Sequence, residues 1–133
     1  MTVASEIVAR ARALVGARFR PQGRHAGAGL DCVGVAALAV AAPQYRSDYR
    51  LRGGSLEALE AELARAGLGR AENMGAGDVL VMRSGPQQLH LGIWTGESLV
   101  HADAGLRRVV ERPGLPPWPV LGAWRKESSG WQR

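Results

Sequence analysis

Apolar positions in the first third of the chain recur at helical spacing. Between Ser5 and Val15, the residues Ile7, Val8, Ala11, Leu14 and Val15 share one face while Arg10 and Arg12 fall elsewhere, which predicts an amphipathic helix ended by Gly16. A glycine-bearing loop over residues 17–29 leads to Leu30-Asp31-Cys32-Val33-Gly34-Val35 and on into Ala36–Ala42, a run so rich in alanine and leucine that it predicts a buried helix stopping before Pro43. Residues 44–54 are polar and read as an exposed connection. A third helix is expected from Ser55 as its N-cap, with Leu56, Leu59, Leu63 and Ala66 or Leu68 inward, ending at Gly67 or Gly69. From Asp78 the period changes to two. The predicted strands are Asp78–Arg83, Leu89–Thr95, Leu99–Asp103, Leu106–Glu111 and Val120–Arg125, separated by glycine- and proline-bearing turns. Helices first and strands afterwards is the order of an α+β domain whose N-terminal helices pack on a C-terminal antiparallel sheet of about five strands.

Length and composition narrow this to one unit. A chain of 133 residues with 46% hydrophobic content supports one core, assigned to residues 1–126, followed by a polar tail over 127–133 that is either loose or a docking peptide carrying Trp131. No window holds the eighteen apolar residues of a membrane span, and the N-terminus lacks the basic, apolar, small-residue order of a secretion signal. The expectation is a protein made in the cytoplasm, with no membrane insertion. Residues 1–54 carry eight arginines against Glu6, Asp31 and Asp48, so the whole net charge of +5 sits in the half that contains the only cysteine. The arginines are not interleaved with stacking aromatics and no nucleic-acid motif is present, so an acidic small substrate fits better than nucleic acid. A solvated, arginine-biased surface gives the same count.

Cys32 changes the picture because of where it falls. At the first turn of a helix the backbone N–H groups lack intrahelical partners and the macrodipole favours a thiolate, the form in which cysteine is a nucleophile. Asp31 opposes this by charge unless its carboxylate caps the helix. A lone cysteine is more often core filling, so the histidines matter. In Leu89-His90-Leu91-Gly92-Ile93 the aliphatic residues share one face, and His90 projects from the other beside Gly92, which leaves space next to it. If the next strand forms a hairpin across Gly96, His101 falls on the same face as His90. A thiolate, a base and a group that orients the base are the minimum for cysteine acyl transfer: Cys32 attacks, His90 moves the proton, and His101 holds His90 by its second nitrogen. One cysteine with scattered histidines lacks paired metal-ligand spacing, and neither a metal nor another cofactor is expected. His25, in the glycine-rich loop, reads as a surface or substrate-rim residue. Trp124 is expected in the core, whereas Trp118, among Pro116, Pro117 and Pro119, fits core, substrate platform or docking surface.

Gly16-Ala17-Arg18-Phe19, Gly29-Leu30-Asp31-Cys32-Val33-Gly34, Gly77-Asp78-Val79-Leu80, His90-Leu91-Gly92-Ile93-Trp94 and Val100-His101-Ala102 together resemble the NlpC/p60 papain-like cysteine peptidases of bacterial cell walls. The resemblance implies a papain-like NlpC fold, Cys32 as nucleophile, His90 as base and His101 as the third polar residue. Val33 stands where the family usually has serine. Phe19 stands where it usually has a tyrosine whose hydroxyl points into the site, which leaves the oxyanion to backbone N–H groups such as that of Cys32, with an arginine or His25. The string from Phe19 to Arg24 followed by Gly29–Gly34 is similar to the phage-tail and gene-transfer-agent subgroup. The resemblance implies a peptidoglycan stem-peptide substrate, typically cut between γ-D-glutamate and diaminopimelate or lysine, and the subgroup likeness implies a tail-hub or baseplate partner that carries the protein to a target wall. Arg18, Arg20 or Arg24, in the loop before Cys32, is expected to meet a stem carboxylate. The alternatives are a catalytically silent tail-hub module and a thiol acyltransferase or deamidase on the same scaffold.

Overall fold

A computed structural model describes residues 2–21, 23–25, 27, 29–42 and 55–126. The predicted connection 44–54 and the tail 127–133 with Trp131 lie outside the described residues. Helix α1 spans Val3–Ala13 and starts at a capping box, in which the Thr2 hydroxyl accepts from the Ser5 N–H and the Ser5 hydroxyl accepts from the Thr2 N–H. Two short antiparallel strands, β1 (Arg24–His25) and β2 (Gly29–Leu30), close the loop before helix α2, Cys32–Ala39. Helix α3, Leu56–Arg65, has the expected Ser55 cap, whose Oγ accepts from the Ala58 N–H.

The sheet has six antiparallel strands among the described residues. These are β3 (Leu68–Ala71), β4 (Val79–Gly85), β5 (Gln88–Trp94), β6 (Ser98–Asp103), β7 (Arg108–Pro113) and β8 (Val120–Lys126), in the spatial order β3-β8-β4-β5-β6-β7. Five of the six coincide with the strands expected from the period of two. The sixth, β3, was expected as the end of the third helix. Of the two ends expected for that helix, Gly67 is the one taken, its φ of +87° suiting the residue after a helix, and the next four residues pair with β8 from Leu68↔Lys126 to Ala71↔Ala123.

Alternation along the strands builds two cores. On one face Val79, Val81, Leu89, Leu91, Ile93, Val100, Ala102, Val109 and Trp124 meet Ile7 and Ala11 of α1, Cys32, Val35 and Ala39 of α2, and Leu59 and Leu63 of α3. On the other, Leu80, Met82, Trp94, Leu99 and Ala123 are covered by Met74 and Trp118 from the connections and by Val120 at the start of β8. Trp124 is thus a core residue, as its strand pattern implied. No helix among the described residues is long and apolar enough to cross a membrane.

Candidate active site

Cys32 is the first residue of α2 and is 5% exposed. Asp31 is the N-cap, its Oδ1 accepting from the Gly34 N–H at 2.9 Å, so the carboxylate beside the thiol serves the helix as a cap. Glycine at 34 is a poor helix former required by a close approach: a Cβ there would lie 2.2 Å from the Gly23 carbonyl oxygen. The other end of α2 is held by cations. Arg10 Nε donates to the Ala39 carbonyl at 2.7 Å and Lys126 Nζ to that of Val40 at 2.5 Å, which complements the negative end of the helix dipole.

Helix α2 packs against β5 and β6, the strands that carry the histidines. The paired register of β5 with β6 consists of Ile93↔Val100 and Trp94↔Leu99, so His90 and His101 lie beyond it, where the two strands part. There the imidazoles meet as the alternation predicted, with His90 Nε2 2.9 Å from His101 Nδ1. The rings stand nearly perpendicular, at 88°, with centroids 5.0 Å apart. The room expected beside His90 at Gly92 is not open: a Cβ on Gly92 would lie 2.5 Å from Leu99 Cδ1, because the neighbouring strand fills the gap that a single strand pattern leaves.

Trp118 completes the cluster. Its ring stands edge-on to both imidazoles, with centroids 5.0 Å from His90 and 5.4 Å from His101, which keeps water from one side of the pair. Of the roles the sequence left open for it, the core is the one the structure displays in part: Trp118 is half-buried and packed on the second core, a placement that brings it against the histidines. Burial pushes the His90 pKa down to about 4, the neighbouring His101 adds to this, and Asp103 opposes it. The His101 pKa is also lowered, first by burial and also by Arg112, against the raising influence of Asp103 and a backbone hydrogen bond at Ala102. Both imidazoles are therefore neutral at pH 7, the state in which an imidazole accepts a proton.

The loop before Cys32 lies along the β6–β7 turn. Phe19 packs against the helix-side core, its N–H donates to the Arg107 carbonyl at 3.0 Å, and the residue bridges Leu30. Arg18 and Arg20 are exposed, and Arg18 bridges Arg108. The backbones of Arg24 and His25 form β1; their side chains lie outside the described residues. Among the described residues, no three histidine, cysteine or acidic side chains gather as a metal site would require.

No protein-family model matches the chain, and no curated protein does. Solved structures do match. NlpC2 of Trichomonas vaginalis superposes with a TM-score of 0.67 at 14% identity, over 96% of this chain and 47% of that one. The NlpC/p60 domain of the peptidoglycan hydrolase SagA gives 0.56 at 20% identity, over 83% and 88%. RipD of Mycobacterium tuberculosis, described as a non-catalytic NlpC/p60 domain protein adapted to peptidoglycan binding, gives 0.59 at 13% identity, over 96% and 99%. This chain thus spans about half of the Trichomonas protein and nearly all of the other two. It has the NlpC/p60 fold.

Proposed function

We propose that the protein is a cysteine peptidase of the NlpC/p60 family that cuts peptidoglycan stem peptides between γ-D-glutamate and diaminopimelate. The observation that carries the reading is the contact of His90 Nε2 with His101 Nδ1 at 2.9 Å, on strands against which the Cys32 helix packs. With Nε2 protonated and donating to His101, Nδ1 of His90 is the basic nitrogen. In the proposal the Cys32 thiol reaches it where β5 and β6 part. The thiol proton passes to Nδ1 and the sulfur attacks the γ-carbonyl of D-glutamate. The proton then goes to the amine of diaminopimelate as the peptide bond breaks, and water hydrolyses the thioester. Trp118, by keeping water off the pair, preserves its hydrogen bond.

Digestion of purified diaminopimelate-type peptidoglycan, with the soluble products read by mass spectrometry, tests this. Stem fragments ending in γ-D-glutamate are expected from the parental protein and are absent with Cys32→Ala and His90→Ala. Binding to the wall without fragments from any variant would replace the peptidase with a wall-binding module of the RipD kind. Transfer of the acyl group to an added amine in place of hydrolysis would indicate an acyltransferase.

The proposal extends to delivery: synthesis in the cytoplasm, incorporation into a phage-like tail through a hub or baseplate protein, and action on the wall of a target cell. The tail particle as carrier rests on the sequence of residues 19–24 and 29–34. Detection of the chain in purified tail particles tests it, and its absence from them would remove this part and leave the peptidase.

A further inference from the structure

Strand register brings a carboxylate to the histidine pair. In β6, Val100 and Ala102 point into the helix-side core, so Leu99, His101 and Asp103 share the other face, where Leu99 belongs to the second core. In β5 the same face carries His90, Gly92 and Trp94. The paired residues of the two strands are Ile93↔Val100 and Trp94↔Leu99, and that antiparallel register carried onward sets Gly92 against His101 and His90 against Asp103. The strands part before that point. His101 meets His90 instead, by the 2.9 Å contact, and Asp103 stands one alternation further along β6, about 7 Å from His101 between Cα atoms.

The turn into β7 holds Asp103 there. Its Oδ1 accepts from the Leu106 N–H at 2.9 Å, which fixes the carboxylate at the end of the strand. Among the described residues Oδ2 takes no hydrogen bond and the carboxylate enters no ion pair, so its charge is not cancelled by contact. Both imidazoles feel that charge: burial lowers their pKa values first of all, and Asp103 raises each of them against it. The other charged groups on this face come from β7. Arg108 is the cross-strand partner of Asp103, and Arg112, opposite Leu99, works against the charged form of His101. Trp118, which covers the rings, carries no charge.

The proposed reaction turns this pair into a cation. When Nδ1 of His90 takes the thiol proton, a buried ring becomes an imidazolium, and its neutral partner His101 offers no compensating charge. Burial makes such a cation costly. We propose that Asp103 is the counter-charge of the histidine pair, a positioning residue that acts through His101 and His90 and stabilises the imidazolium formed as Cys32 gives up its proton. The role in catalysis rests on the peptidase reading, whereas the coupling of Asp103 to the pair does not. Asp103 stays ionised throughout, and the proton remains on the histidines until it passes to the leaving amine.

Asp103→Asn removes the charge while the side-chain oxygen still accepts from the Leu106 N–H, so the turn is kept. NMR of the two histidine rings in the full-length protein, titrated from pH 8 to 4, reads the coupling without any turnover. The protonated fraction of the pair at pH 5 is expected to fall about three- to tenfold in Asp103→Asn, as loss of one charge several ångströms away predicts. Arg112→Gln is expected to raise that of His101, and loss of structure would not move the two variants in opposite directions. On diaminopimelate-type peptidoglycan, Asp103→Asn is expected to release stem fragments about three- to tenfold more slowly, with the acid limb of its pH profile displaced to lower pH. Histidine titrations that are unchanged or displaced to higher pH in Asp103→Asn would overturn the counter-charge, and so would an acid limb that stays in place. Titrations displaced as expected, in a protein whose parental form releases no fragments, would uphold the coupling of Asp103 to the pair and reject the peptidase.

Discussion

Burial at His90, reinforced by His101, lowers its pKa from 6.5 to about 4, and this links the proposed base to folding. Between those values the unfolded chain binds a proton that the folded one excludes, so stability falls as pH falls. The contribution of His90 is complete above the unfolded pKa and is lost progressively through the window from 6.5 down to about 4. By pH 5 the loss amounts to roughly 2 kcal/mol, with His101 shifted in the same direction. Urea unfolding of the parental protein is expected to show a midpoint that declines from pH 7 to 5, while His90→Gln shows a much flatter profile. Matching slopes would mean that His90 takes up its proton in the fold. That the two histidines share a face was legible, since a period of two fixes it from sequence alone. Two other features were not. Leu99 filling the room beside Gly92 depends on the register of β5 with β6, and Trp118 covers the imidazoles by a return of the chain from after β7, a contact that local spacing does not encode.

At the scale of elements, α2 shows propensity yielding to packing. By intrinsic preference Gly34→Ala should stabilise a helix by about 1 kcal/mol. The structure predicts the opposite, because the added Cβ would lie 2.2 Å from the Gly23 backbone oxygen and 3.1 Å from Leu30 Cδ2. Either the glycine loop or the first turn of α2 must shift, at a cost of roughly 1–3 kcal/mol. The expected outcome is a lower unfolding midpoint together with a changed rate of Cys32 alkylation, because the turn that moves carries the thiol. A midpoint that rises would show that the loop gives way freely. The helix starts at Ser55 and Asp31 were readable, because the capping residue stands directly before an apolar run. Strand β3 was not: Leu68-Gly69-Arg70-Ala71 lacks a clear alternation and is a strand because β8 offers it a partner. The same holds for residues 17–19, which the sequence presents as loop and which the turn before β7 recruits.

Across the whole molecule, the antiparallel sheet is tied to its helices at one corner. Gly77 has a φ of +88°, and a Cβ there would lie 2.9 Å from Ala4 Cα, so α1 sits against the backbone of the turn into β4. The next residue, Asp78, is fully buried. Its Oδ1 and Oδ2 accept from Arg125 Nε and Nη2 at 2.9 and 3.0 Å, and Oδ2 also accepts from the Gly75 N–H at 2.8 Å. The bidentate pair therefore joins the start of β4 to the end of β8, and Arg125 reaches on to the Asn73 carbonyl at 3.1 Å. Asp78→Ala leaves the Gly75 N–H without its acceptor, and Arg125→Ala leaves a buried carboxylate with one donor. Each change is expected to destabilise the protein by roughly 2–4 kcal/mol. The double variant should cost less than the two together, by about 1–3 kcal/mol, because the second removal finds its partner already gone. Urea unfolding of the four proteins at pH 7 measures this coupling, and at that pH the histidines contribute equally to all of them. Additive losses would mean that Asp78 is held by the 73–75 turn and Arg125 by the Asn73 carbonyl, as two separate attachments of the sheet. A coupled result would mean that one side-chain pair fixes how β4 and β8 meet.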